Sequence, residues 1–286
     1  MLIAITLPIA ASSQDRSDPG VTGPFSRVAV MNAPFSAIGT TVVTEKRANG
    51  AREQWTSTVR IARNSAGHVR VDFDVPVRDG APGVTKMSVL TVDGELDRAG
   101  RRLTYQVEHA AKHYRSIGGI ADILFNAGMN FVIPIGVLPS GGPRFAAVIT
   151  PDVHAPADDQ MVESLGADHI EGLDVVGWRL TDVAPRCGGA CAGLPGTLSD
   201  ERWESPELQM VVMATHVDRG HELTPRGYPG KGFDVDYRLT NIVRTEPSPE
   251  LFVIPRGYTA HADPNPDIDL SIGNFHPNLF AAKPTP

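Results

Sequence analysis

The stretch HVRVDFDV, residues 68–75, alternates apolar and polar side chains from Val69 onward. Successive side chains of a strand point to opposite faces. The pattern therefore puts Val69, Val71, Phe73 and Val75 on one face and Arg70, Asp72 and Asp74 on the other. A helical period of 3.6 would mix the two sets. A strand dry on one side and wet on the other belongs to an antiparallel sheet. The same alternation recurs along the chain. PFSAIGTTVVTEKRANGAREQWTSTVRIAR reads as two strands about a turn at 48–51, and the next turn falls at Asn64–Gly67. Residues 87–92, 103–109 and 173–181 read as further strands, as does FDVDYRLTNIVRTE. Gly166 and Gly172 read as turns around Ile170, and Leu208, Met210, Val212 and Ala214 as one strand face. The chain carries 28 Gly and 24 Pro, which suits many turns rather than long helices. The expected class is mainly β, an antiparallel meander.

The organisation follows from where the alternation stops. Leu2–Ala11 is apolar and small residues follow before Gln14, so residues 1–13 read as the remnant of an export signal. The alternative is a buried first strand. Residues 14–34 read as a linker, 35–260 as a single β-rich domain, and 261–286 as an extended tail. Within the domain, 116–157 reads as an apolar loop insertion with a short helix at Ile120–Asn126. It is a lid over a cavity or ordinary core packing. Asp122, Asn126, Asn130 and Pro134 interrupt it, so no integral membrane span is expected. The tail carries apolar anchors at Ile272, Phe275, Leu279 and Phe280.

A net charge of −7 argues against a nucleic-acid partner, which needs a basic face. Cys187 and Cys191, in RCGGACAG, read as a local disulfide of an exported chain, with no further metal ligands beside them. His109 and His113 stand four apart in HAAKH. No Glu follows the first, so the zinc-protease motif is absent and the pair reads as strand surface. No nucleophile elbow, P-loop or dinucleotide fingerprint occurs. Ser140 in LPSGGP reads as a turn residue, and Asp263, Asp267 and Asp269 as a solvated acidic tail. Trp55, Trp178 and Trp203 fall in expected strands and are either pocket lining or core.

The run VESLGADHIEGLDVVGWRLT, with ERWESPELQMVVM and YRLTNIVRTEPSPELFVIPRGYT, resembles exported β-rich proteins of acidobacteria-like bacterial genomes. PFSAIGTTVVTEKRANGAREQWTSTVRIARNSAGHVR resembles their first hairpins. The layout is more remotely similar to periplasmic lipoprotein carriers and the sigma-factor regulators that share their fold. That likeness implies a curved sheet, a half-barrel, with short helices or loops covering one face and an apolar cavity beneath. It implies no catalytic residue, metal or cofactor. The expected ligand is an apolar small molecule or acyl chain held by Trp55, Phe73, Trp178, Trp203 and Met210, in the periplasm or outside the cell. The alternative is a structural subunit that self-associates through residues 261–286, since an extended arm can complete a neighbour's sheet. An enzyme reading rests on isolated His, Ser and Asp residues and would need two or more of them within hydrogen-bond reach.

Overall fold

Alternating runs become strands, and the Asn64–Gly67 turn between two of them carries the expected chemistry. The computed structural model describes residues 30–46, 51–76, 84–96, 102–116, 129–137, 143–149, 160–182, 198–218, 233–261 and 269–272. In chain order these form β1 (Phe35–Lys46), β2 (Arg52–Arg63), β3 (Val69–Pro76), β4 (Val84–Leu96), β5 (Arg102–Glu108), β6 (His113–Ser116), β7 (Met129–Val137) and β8 (Pro143–Ile149). There follow β9 (Gln160–Ile170), β10 (Leu173–Asp182), β11 (Leu198–Ser205), β12 (Met210–Asp218), β13 (Phe233–Val243), β14 (Thr259–Ala260) and β15 (Asp269–Ile272). A single 3-10 turn at Pro249–Phe252 is the helical element among the described residues.

Twelve strands form one curved sheet that does not close into a barrel, in the order β14-β6-β5-β4-β3-β2-β1-β13-β12-β11-β10-β9. It consists of two antiparallel meanders, β1–β6 and β9–β13, joined where β1 pairs with β13, with β14 added in parallel at the β6 edge. The curved, mainly β fold is thus the expected one. The β2–β3 turn shows how local sequence sets register. Gly67 adopts φ 73°, its amide donates to the Asn64 carbonyl at 2.9 Å, and the His68 amide donates to Asn64 Oδ1 at 2.8 Å. Arg63 then falls opposite Val69, and Val71 opposite Ile61.

That register lines up one dry face. Ala37, Ile61, Val71 and Val89 stand in one cross-strand row, and Leu239, Gly39, Val59, Phe73 and Met87 in the next. Ile61, Val71, Val89, Leu239, Phe73 and Met87 are buried in one core, with Phe35 and Leu208. Each such side chain contributes about 1.5–3 kcal/mol by leaving water. Arg63 joins this core rather than leaving it. Its guanidinium lies 4.9 Å from the Phe35 ring centroid and donates to the carbonyls of Ala33 and Leu208 at 2.9 and 2.6 Å. Burial lowers its pKa to about 10.

Several expectations change in three dimensions. Gly166 is no turn: β9 runs through it, and its φ of 83° sits where the register with β10 shifts between Gly177 and Trp178. The β12 face is also broken. Trp203 stands opposite Met213 but Glu204 opposite Val211, so Val212 is the extra residue of a bulge and Val211 is buried as well. The 116–157 segment holds a hairpin, β7 with β8, and the tail supplies β15, which pairs in parallel with β8. These make a second, three-stranded sheet whose β7 lies against β3. The end of the linker docks too: Val30 is buried and the Asn32 amide donates to the Ser65 carbonyl at 2.9 Å. Residues 1–13, Ile120–Asn126, Ser140, Cys187, Cys191, Asp263 and Asp267 lie outside the described residues.

Candidate functional site

The dry face is not apolar throughout. Where it passes to the second meander, Thr41, Tyr237, Ala214, Arg202 and Trp178 stand opposite one another across five strands. The neighbouring row holds Val235, His216, Asp200 and Leu180. Thr41, Tyr237, Arg202, Asp200 and His216 are all buried. Burial of a charge requires a partner. His216 Nδ1–H donates to Asp200 Oδ1 at 2.7 Å, with both side chains at most 10% exposed. Arg202 Nε lies 3.1 Å from Glu204 Oε1. Burial pushes the Tyr237 hydroxyl well above the usual tyrosine range, so it stays a neutral phenol. Its ring folds over Gly39, where a Cβ would come within 3.1 Å of the Tyr237 oxygen. Only glycine leaves that space on β1.

The predicted ligand residues do not gather at one place. Trp178 stands opposite Arg202 and Trp203 opposite Gly177, in an uninterrupted stretch of the β10–β11 register. The two tryptophans are neighbours on opposite faces of the sheet. Gly177 makes room for Trp203, since a Cβ there would meet the indole at 2.6 Å. Phe73 is 5% and Met210 1% exposed, both packed within the core. Trp178 is half-buried beside the polar row. Trp55 stands in β2 opposite Val43, and its side chain lies outside the described residues.

A second polar cluster lies on the other face. Arg70 Nε donates to Asp72 Oδ1 at 2.7 Å, and Arg70 Nη2 to Ser88 Oγ at 3.0 Å. Ser88 Oγ is 2.5 Å from Asp72 Oδ1 and 2.6 Å from His109 Nε2, while His109 Nδ1 is 3.0 Å from the Tyr258 hydroxyl. Serine, histidine and a third group in a row invite comparison with a nucleophile and its base. The proton count rejects it. A hydroxyl has one proton and two acceptor sites. Ser88 gives its proton to Asp72 and accepts from Arg70 and from His109 Nε2–H, which fills it. His109 is then the neutral Nε2–H tautomer accepting at Nδ1 from Tyr258. Desolvation foremost, with the charges of Arg70 and Lys86, lowers its pKa and agrees with that state. Ser88 is also wholly buried.

His109 and His113 do not converge. The intervening turn has Lys112 at φ 53°, and His113 instead lies 5.8 Å from the His261 ring. Among the described residues no three His, Cys, Asp or Glu side chains assemble as a metal set. No helix among them is long and apolar enough to cross a membrane.

The polar row of the dry face escaped sequence reasoning. SDERWES looks solvated because it is charged, yet Asp200 and Arg202 are two apart and hence on one face. The missing signal was their neighbours: β11 sits between β10 and β12.

No family profile and no curated protein matches the chain. Solved structures give remote likenesses. The Pseudomonas aeruginosa MucA/MucB complex aligns at 13% identity and a TM-score of 0.27, over 76% of this chain and 55% of that chain. The chain thus spans about half the length of this relative. A DUF1329 family protein from Desulfovibrio piger aligns at 12% identity and 0.25, over 73% of this chain and 85% of that one. A LolA superfamily protein from Nitrosomonas europaea aligns at 7% identity and 0.19, over 80% and 94% respectively. None of these likenesses assigns the chain to a family.

Proposed function

We propose that this is an exported binding protein, periplasmic or extracellular, that holds a lipid, acyl chain or other apolar molecule against the dry face of the sheet. The supporting observation is the composition of that face. Apolar cross-strand rows run into two neighbouring buried rows, one with Thr41, Tyr237 and Arg202 beside half-buried Trp178, the other with His216 and Asp200. Sites for small molecules have this make-up, mostly apolar with a few placed polar groups that fix orientation. Ligand contact centres on Trp178. Phe73 and Met210 support it from within the core, and Trp203 backs the same strands from the far side.

The test is purification without detergent, native mass spectrometry and extraction of bound small molecules. A co-purified lipid supports the reading, and its titration should change the emission of Trp203→Phe but not of Trp178→Phe. A ligand-free protein that binds no added fatty acid sinks it.

A second reading keeps the tail as an assembly arm, and one observation favours it: residues 269–272 do complete a sheet, in this case that of their own chain. The same pairing between two chains would build an oligomer by exchange. Light scattering of the full chain against a variant ending at residue 260 decides it; a monomer in both counts against it.

A further inference from the structure

The segment after β13 crosses the solvent face of the first meander and ends as β14 on the edge of β6. Its first half is anchored by packing and by a permanent cation. Phe252 is 3% exposed, and Arg70 Nη1 donates to the Leu251 carbonyl at 3.0 Å. Its second half is held differently. The Thr259 and His261 amides donate to the carbonyls of Lys112 and Tyr114 at 3.0 and 2.8 Å. The side chains at that end are the His109–Tyr258 hydrogen bond and the His113–His261 ring contact. Three imidazoles fasten a two-residue strand.

We propose that residues 258–261 form an acid-released strap: protonation of His109 detaches β14 from β6 and uncovers the β6 edge, while 249–252 stays docked. The proposal stands apart from the ligand reading, since it concerns the opposite face and the far edge of the sheet.

The chemistry runs as follows. His109 is neutral, with Nδ1 accepting from Tyr258 and Nε2–H donating to Ser88. A proton on Nδ1 reverses the first bond and sets a half-buried cation beside Arg70 and Lys86, with Asp72 as counter-charge. The imidazolium gains by reaching water, and Tyr258, ring to ring with it at 5.9 Å, is what covers it. Histidine is the side chain that changes charge between about pH 5 and 8. Among the described side chains, the other ionisable groups on the packed elements are Asp74 of β3, Tyr105, Glu108, Lys112, Tyr114 and Arg115 of the β5–β6 hairpin, and Glu250 and Arg256 of residues 249–257. The sign is fixed by linkage. The folded-state pKa of His109 is lowered from 6.5, so its contribution is full above about pH 6.5 and is lost as pH falls through the lowered value.

Hydrogen exchange on the full chain tests this. From about pH 7.5 to about pH 5, protection of the Thr259 and His261 amides, corrected for intrinsic rates, should be lost. Protection of the Leu251 amide and of core amides such as Val71 should hold. Tyr258→Phe should loosen the two strap amides already at the higher pH. The variant His109→Gln should keep the strap closed in acid. Three results overturn the proposal: unchanged strap protection in acid, equal release in His109→Gln, or simultaneous loss of core protection, which would mean that acid acts on the whole fold.

Discussion

The two meanders share one face of one sheet and fill it in different ways. In β1–β4 the face is carried by Ala37, Ile61, Val71, Phe73, Met87 and Val89. In β11–β13 it includes Asp200, Arg202, His216 and Tyr237 at comparable burial. Apart from Arg63, the first half is stabilised by removal of apolar area from water and needs no particular partner for its side chains. The second depends on pairs, since each buried charge must find its complement. A core built from area tolerates exchange of shapes. A core built from pairs tolerates joint replacement but not removal of one member.

The largest expected effect is in the first half. Phe73→Ala should destabilise by about 3–5 kcal/mol, through lost burial and a cavity between Val59 and Met87. Urea unfolding measures it, and a loss under about 1 kcal/mol would show that the site collapses or was never close-packed. Next comes Asp200→Ala, which leaves His216 buried without that carboxylate and should cost about 3 kcal/mol. The sharper form of this test is Asp200→Leu with His216→Leu. Recovery of most of the stability in the double variant supports the distinction between halves; additive losses contradict it. Gly177→Ala is smaller. The added methyl must displace the Trp203 indole, costing about 1–3 kcal/mol, with a changed near-ultraviolet circular dichroism signal from that ring. Smallest is Arg179→Ala. Arg179 joins Glu201 and Glu163 across β9–β11, and those two carboxylates raise its pKa, but it is exposed. Its removal should change the melting temperature little, corresponding to under about 1 kcal/mol, and any effect should vanish in high salt.

Legibility differed between the halves for the same reason. In β3 the alternation of Val69, Val71, Phe73 with Arg70 and Asp72 gives the face of each residue directly, and the Asn64–Gly67 turn fixes the hairpin. In β11 the sequence LSDERWES shows polar residues on both faces, so periodicity cannot say which one is dry. Two bulges, at Gly177/Trp178 against β9 and at Trp203/Glu204 against β12, then change the count by one residue on either side. A one-residue change moves a side chain to the other face. Trp178 and Trp203 face apart for a simpler reason: they are offset by one position in the β10–β11 register.

By itself, then, the sequence determined the strands β1 to β5 of the first meander, the faces of β3 and the Asn64–Gly67 turn, because these depend on a period of two and on residues a few positions apart. The tertiary structure decided three things. It joined the meanders through β1 and β13, and it sent the tail to β8 rather than leaving it as a free arm. It also placed Tyr258 on His109 and His261 on His113. Each of these joins positions roughly 120 to 210 residues apart. Such pairings are selected by which edges and faces remain uncovered once local strands have formed.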